Sequence, residues 1–202
     1  MKRIVTTIFL ISIATICFSQ NGKTKKMLKE ISSEWSLDDN GNVSYVRVVE
    51  APGMTNEEIY NRVQNYFVYN YGSGKSVIQT EDKDLGRIVA KGLYDDVHVG
   101  VSIVTTYVDC WHIARVDVKE ERARIIVTLT EYEKKIVGGN TPPAYSTMKV
   151  EKEFPANPKG MSKTVMGKSF YKSHKAVINS LDAIEKAIKE GNTSKTIEND
   201  DW

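Results

Sequence analysis

Asp109-Cys-Trp-His112 is the stretch whose residue types come nearest to a nucleophile and its base. A thiol attacks as the thiolate, and an imidazole within hydrogen-bond reach is the usual means of making one. The surrounding run is rich in Val, Ile, Thr and Tyr and reads as a strand, so Cys110 and His112 share one face while Asp109 lies on the other. Strand residues two apart stand about 7 Å from each other, too far for a direct thiol–imidazole hydrogen bond. The pattern favours Cys110 as a small buried hydrophobe. An envelope enzyme with Cys110 and His112 near its site stands only as the alternative reading. His98, His112 and His174 have no ligand spacing between them, and no Cys-x-x-Cys is present, so no metal or other cofactor is expected. Gly72-Ser-Gly-Lys-Ser76 looks like the end of a phosphate-binding loop, but Tyr69 stands where its first Gly belongs. There a helix also precedes and a strand follows, so the helix N-terminal amides of an anion site would be missing. The carboxylates are scattered over turns and helix faces, and none forms an acid/base pair.

The elements that would position these residues begin with Val43–Val49, a β-branched run bounded by Asn40-Gly41-Asn42 and Pro52-Gly53. Thr55-Asn-Glu-Glu58 opens a helix as a capping box, with Met54 and Ile59 placed for a hydrophobic staple. Ile59, Val63, Tyr66 and Phe67 form its apolar stripe, and Gly72 is its expected stop. Ser76–Thr80 and Arg87–Leu93 form a hairpin around Asp82-Lys-Asp-Leu-Gly86. From Tyr94 to Val118 the chain reads as one long bent strand, or two in series, with a bulge or bend near Gly100. Lys119-Glu-Glu121 turns it into a return strand, Arg122–Tyr132. Residues 133–168 are irregular and Pro/Gly-rich, with Met148, Val150 and Phe154 suggesting a charged edge strand or an extended cover. Ser169–Glu190 is a second helix, with Phe170, Val177, Ile178, Leu181, Ile184, Ala187 and Ile188 on one stripe and Gly191 as its stop. Lys25–Ser32 has the pattern of a short helix that only packing would stabilise.

The beginning reads as an export signal. Met1-Lys-Arg3 is positive, Ile4–Phe18 is apolar, and small residues stand at Cys17 and Ser19. The apolar run is shorter than the roughly 20 residues a spanning helix needs. Cleavage after Ser19 is expected, leaving no transmembrane segment and an exported protein of the periplasm or cell envelope. The division is then 1–19 signal peptide, 20–42 N-terminal extension, 43–191 a single domain including the irregular 133–168, and 192–202 a disordered polar tail. The whole chain carries 28 Lys+Arg and 26 Asp+Glu, so losing Lys2 and Arg3 leaves 26 of each. A neutral mature chain gives no electrostatic ground for nucleic acid or an acidic membrane. Cys110 then becomes the only thiol, so no intramolecular disulfide is available.

Three stretches are similar to one family: Glu50-Ala-Pro-Gly-Met-Thr-Asn-Glu-Glu-Ile-Tyr60, Asp82-Lys-Asp-Leu-Gly-Arg-Ile-Val-Ala-Lys-Gly92 and Val118-Lys-Glu-Glu-Arg-Ala-Arg124. Across Gly41–Tyr132 the chain resembles a family of exported Bacteroidota proteins, the domain of unknown function number 4468, whose fold is like the TATA-binding protein. The resemblance implies an α+β fold in TBP-like order β-α-β-β-β-β-α, one antiparallel sheet with two helices packed on one face. It brings no catalytic residue. Glu120-Glu121 departs from the Asp-Gly turn expected there. The alternation of the last two strands leaves a mixed face carrying Trp111, Ile113, Arg115 and Arg124, with Tyr107 beside them if no bulge shifts its register. That face is the candidate binding surface of a non-catalytic module, for an unknown protein or small envelope ligand.

Overall fold

The computed structural model describes residues 22–71, 77–101, 103–138, 141–153, 155–156 and 163–191. The expected signal at Met1–Ser19, the helix stop at Gly72, Phe154 and the tail 192–202 lie outside these residues. In chain order the elements are α1 (Gly22–Glu30), β1 (Ser36–Leu37), β2 (Val43–Glu50), α2 (Asn56–Tyr71), β3 (Val77–Asp82), β4 (Arg87–Val101), β5 (Thr105–Lys119), β6 (Arg122–Val137), β7 (Ala144–Lys149) and α3 (Lys163–Glu190). All strands belong to one antiparallel sheet ordered β1-β2-β6-β5-β4-β3, with β7 paired to the far half of β6.

The β2–α2 connection forms because its backbone groups are satisfied locally and across the sheet. Thr55 Oγ1 accepts the Glu58 amide at 3.2 Å, so the first half of the capping box is present, while the Glu58 carboxylate takes Arg62 at 2.9 Å. Ile59, Val63, Tyr66 and Phe67 then bury the expected stripe. At the β3–β4 turn, Gly86 adopts φ 63 and its carbonyl accepts the Val118 amide at 2.7 Å. A side chain there would be strained by its left-handed backbone and would also meet Val118 O.

Alternation decides the layers. Ile88 and Ala90 of β4, Cys110, His112, Ala114 and Val116 of β5, and Ile125, Val127 and Leu129 of β6 face inward and are buried. α2 and α3 cover this inner face, with Val177, Leu181, Ile184 and Ile188 of α3 buried against it. At roughly 1.5–3 kcal/mol for each fully buried aliphatic side chain, that stripe is enough to hold α3 in place.

The two helices expected on one face are there, and the short N-terminal helix α1 docks on α3 beside them: Ile31 is fully buried and Trp35 meets Phe170 edge-on at 5.4 Å between centroids. Three other expectations require correction. The stretch Tyr94–Val118 is a hairpin and not one strand or two in series, since β4 and β5 pair from Arg87↔Asp117 to Val101↔Thr105. The bulge lies at Asp95–Val97 and not at Gly100. Asp96 takes φ 48 there, and its amide donates to Asp109 Oδ1 at 2.7 Å. Finally, 133–168 is more regular than its Pro/Gly content suggests. β6 runs on to Val137, β7 extends the sheet in its own plane, and α3 begins at Lys163 because Met166 and Gly167 continue the buried stripe.

Candidate functional site

On the outer face of the sheet, Arg115 and Asp117 of β5 lie on the same side of their strand. Arg87 of β4 stands opposite Asp117 in the ladder, and so does Arg124 of β6. That register brings three guanidiniums onto one carboxylate. Arg87 Nε donates to Asp117 Oδ1 at 2.6 Å, while Arg115 Nη2 and Arg124 Nη2 each donate to Oδ2 at 2.8 Å. The Asp117 side chain is only 13% exposed. Burial alone would raise its pKa, but the three guanidiniums hold it well below the usual carboxylate range. One negative charge thus fixes three positive ones around it, and the cluster retains a positive surplus.

Beside the cluster is a hollow of about 210 Å³ lined by Val48, Asp117, Lys119, Arg122, Ala123 and Arg124. Val46 and Val48 of β2 are exposed on this face, as is Ile113 at 37%. Trp111 lies half-buried with the Lys91 ammonium 4.4 Å from its ring centroid. Of the five residues the sequence nominates, the structure therefore gathers Trp111, Ile113, Arg115 and Arg124. Tyr107 shares their face, because β5 itself carries no bulge, but it stands four residues further along with Lys135 over its ring. Arg87 and Asp117 complete the cluster and are absent from the nominated set. The signal for both was available: Ile88 and Ala90 point inward, so Arg87 points outward, and Asp117 alternates in step with Arg115.

Cys110 and His112 do share a face, as the strand period requires, and that face is the core. Cys110 is fully buried, and burial pushes its thiol up to about 12. His112 Nε2 lies 2.8 Å from the Tyr71 hydroxyl, and the Tyr94 ring stacks on the imidazole at 3.8 Å. Burial lowers the His112 pKa to about 3, so the ring is neutral. Tyr94 in turn reaches Ser180 of α3 at 2.9 Å. These contacts tie α2, the sheet and α3 together, and they leave neither a thiolate nor an opening for a substrate beside Cys110. His98 and His174 are each buried elsewhere, with Tyr45 3.3 Å from His174. Among the described residues, no three His, Cys, Asp or Glu converge as metal ligands, and no helix is long and apolar enough to cross a bilayer.

Residues 45–132 match the family described as "Domain of unknown function (DUF4468) with TBP-like fold", close to the span over which the motifs resemble it. A TBP-like protein from Parabacteroides distasonis is similar in structure, with TM-score 0.54 and 17% identity, over 73% of this chain and 96% of that one. A DUF4468 family protein from Bacteroides ovatus is similar with TM-score 0.56 and 16% identity, over 81% of this chain and 94% of the other. At these identities the likeness carries the fold alone. No curated protein matches the chain.

Proposed function

We propose, from the premise that residues 45–132 form a DUF4468 domain with the TBP-like fold, that this protein is a non-catalytic binding module of the cell envelope which holds its partner on the outer sheet face. The observation that carries the reading is one-sided cover. α2 and α3 lie on the inner face, while Val46, Val48 and Ile113 stand exposed on the outer one beside Arg115 and Arg124. β7 does not lie across that face, because it pairs edge-on with β6. An open surface mixing Arg, Trp and β-branched residues has the composition of an interaction hot spot. The positive surplus of the Arg87–Arg115–Arg124 cluster suits a protein or small envelope ligand that presents a carboxylate or phosphate to the hollow. The likeness to the TATA-binding protein extends to the fold and brings no nucleic-acid partner with it.

Two measurements test the proposal. Trp111→Ala combined with Arg124→Ala should leave the melting temperature nearly unchanged while abolishing capture of the partner that the wild-type protein retains from envelope extracts. Lost stability with unaltered capture would remove the binding-face reading. Export rests on Met1–Ser19, and intact mass of natively produced protein tests it: a species retaining Met1, or carrying a lipid on Cys17, contradicts cleavage after Ser19.

A further inference from the structure

The far end of the sheet has a chemistry of its own. The chain is 27% charged, yet no charged residue occurs from Val97 to Val108 or from Ile136 to Met148. The first stretch contains the turn between β4 and β5, and the second contains the connection between β6 and β7. The two stand side by side: a methyl group added at Gly138 would come within 2.6 Å of Val104 Cγ1. At this end the apolar groups point into solvent, with Ile103 100% exposed, Val101 80%, and Val99 and Val104 partly so. Tyr145 of β7 is exposed beside them.

Directly behind this apolar tip is a polar collar. The Lys135 ammonium lies 5.6 Å from the ring centroid of Tyr107 and 6.0 Å from that of Tyr145. A hollow of about 590 Å³ adjoins these rings, and its lining includes Asp95, Asp96, Asp109 and Glu133 as well as Lys134 and Lys135. Apolar side chains at the tip, amphipathic aromatics and a lysine stem behind them, and charge of both signs further back are the order of groups met on passing from acyl chains to headgroups.

We infer that this tip, Val99, Val101, Ile103 and Val104 with Tyr145 at its shoulder, dips into the surface of a zwitterionic lipid bilayer. The reading goes beyond the outer-face proposal, since the Arg87–Arg115–Arg124 cluster sits toward the opposite end of β4 and β5. A second copy of the chain is the weaker occupant. A stable protein interface buries about 1,200–2,000 Å² in total, and a projecting turn two strands wide offers only a few aliphatic side chains. An anionic membrane is also disfavoured, because the four carboxylates of the collar outnumber its two lysines. Insertion is therefore driven by the apolar tip, as for an interfacial segment with little net charge.

The test uses the whole chain in a Cys17→Ser background, with an environment-sensitive fluorophore attached through Ile103→Cys. A second preparation carries it through Leu85→Cys, on the exposed β3–β4 turn at the other end of the sheet. Buried Cys110 stays unlabelled. With phosphatidylcholine–phosphatidylethanolamine vesicles, the probe at 103 should shift to the blue and brighten severalfold, and the probe at 85 should not. The response should persist in about 1 M salt, where charge interactions are screened within about 3 Å. Adding Val101→Asp should abolish it with the melting temperature unchanged, because that side chain is exposed. The apolar stretch Ile4–Phe18 could bring the chain to vesicles unaided, but it would not bury position 103 in preference to 85. Equal response at both positions, response only to anionic vesicles at low salt, or a concentration-dependent blue shift without lipid that accompanies a sedimenting dimer would each overturn the inference.

Discussion

Acid should unfold this protein earlier than its carboxylates alone would, and His112 is the residue on which to measure it. Its ring is 2% exposed, is held by Tyr71 and Tyr94, and keeps a buried Nδ1 without a partner. Burial lowers its pKa to about 3 in the folded protein, against about 6.5 in an unfolded chain. As pH falls below about 6.5, the unfolded state takes up a proton that the folded state refuses. The stability contributed by the neutral ring is complete above that pH and is lost on the way down to the folded pKa. At about 1.36 kcal/mol per unit, the loss from this one residue reaches about 2 kcal/mol at pH 5. His98 and His174 have pKa values lowered by burial and act in the same direction. Wild type and His112→Gln should be unfolded in urea at pH 7.5 and again at pH 5. Gln keeps a polar end for Tyr71 but does not titrate, so the variant should lose about 2 kcal/mol less than wild type between the two pH values. Equal losses in both proteins would mean that His112 is charged or solvated in the fold, and the account of the core around it would be wrong.

Two further outcomes follow from packing. Gly92→Ala would place a methyl group 2.7 Å from ring atoms of both His112 and Tyr71. Both rings are fixed by their neighbours, so the variant should lose about 1–3 kcal/mol by urea titration; an unchanged midpoint would mean that the rings move aside freely. Leu181→Ala, at a position 3% exposed in the centre of α3, should cost about 2–5 kcal/mol, whereas near-neutral behaviour would show that α3 is not docked on the sheet.

The layers of the fold are legible wherever a period runs unbroken. The Thr55 cap on the Glu58 amide, the stripe Ile59–Phe67, the inward set from Cys110 to Val118 and the α3 stripe each announce themselves by spacing, and the structure places them as read, save that the Glu58 carboxylate turns to Arg62. What escapes the sequence is where a period is interrupted or changes phase. Asp95–Val97 interrupt the alternation of β4, and Thr130 slips β6 by one residue, so that Tyr132 and not Glu131 continues the buried row. β7 is legible only in part: the period at Met148 and Val150 suggests an edge strand and the structure has one, but Ala144–Lys149 is almost all exposed, so hydrophobicity does not mark where it begins or which way it pairs. The site shows the same limit. Alternation puts Arg115 and Arg124 on one face, but their convergence depends on the ladder register that sets Asp117 opposite both Arg87 and Arg124. Register between strands is a tertiary property that no local window contains.

The turn Glu120–Glu121 has a consequence for the order in which the molecule assembles. Glu121 takes φ 59, a conformation that disfavours side chains and that Gly would adopt freely. In return, its carbonyl accepts the Ala51 amide at 2.8 Å, its amide donates to Met54 O at 3.1 Å, and its carboxylate accepts the Gly53 amide at 2.9 Å. Glu120 accepts the Asn56 amide, at the first residue of α2, at 3.0 Å. Part of the N-terminal cap of α2 is therefore supplied by a turn more than sixty residues later in the chain. The β5–β6 hairpin needs only neighbouring residues to close, whereas the first turn of α2 is not fully satisfied until that hairpin exists. The helix thus exchanges water for a protein partner at its first turn only through a contact of high sequence separation, which links the β2–α2 connection to the β5–β6 hairpin.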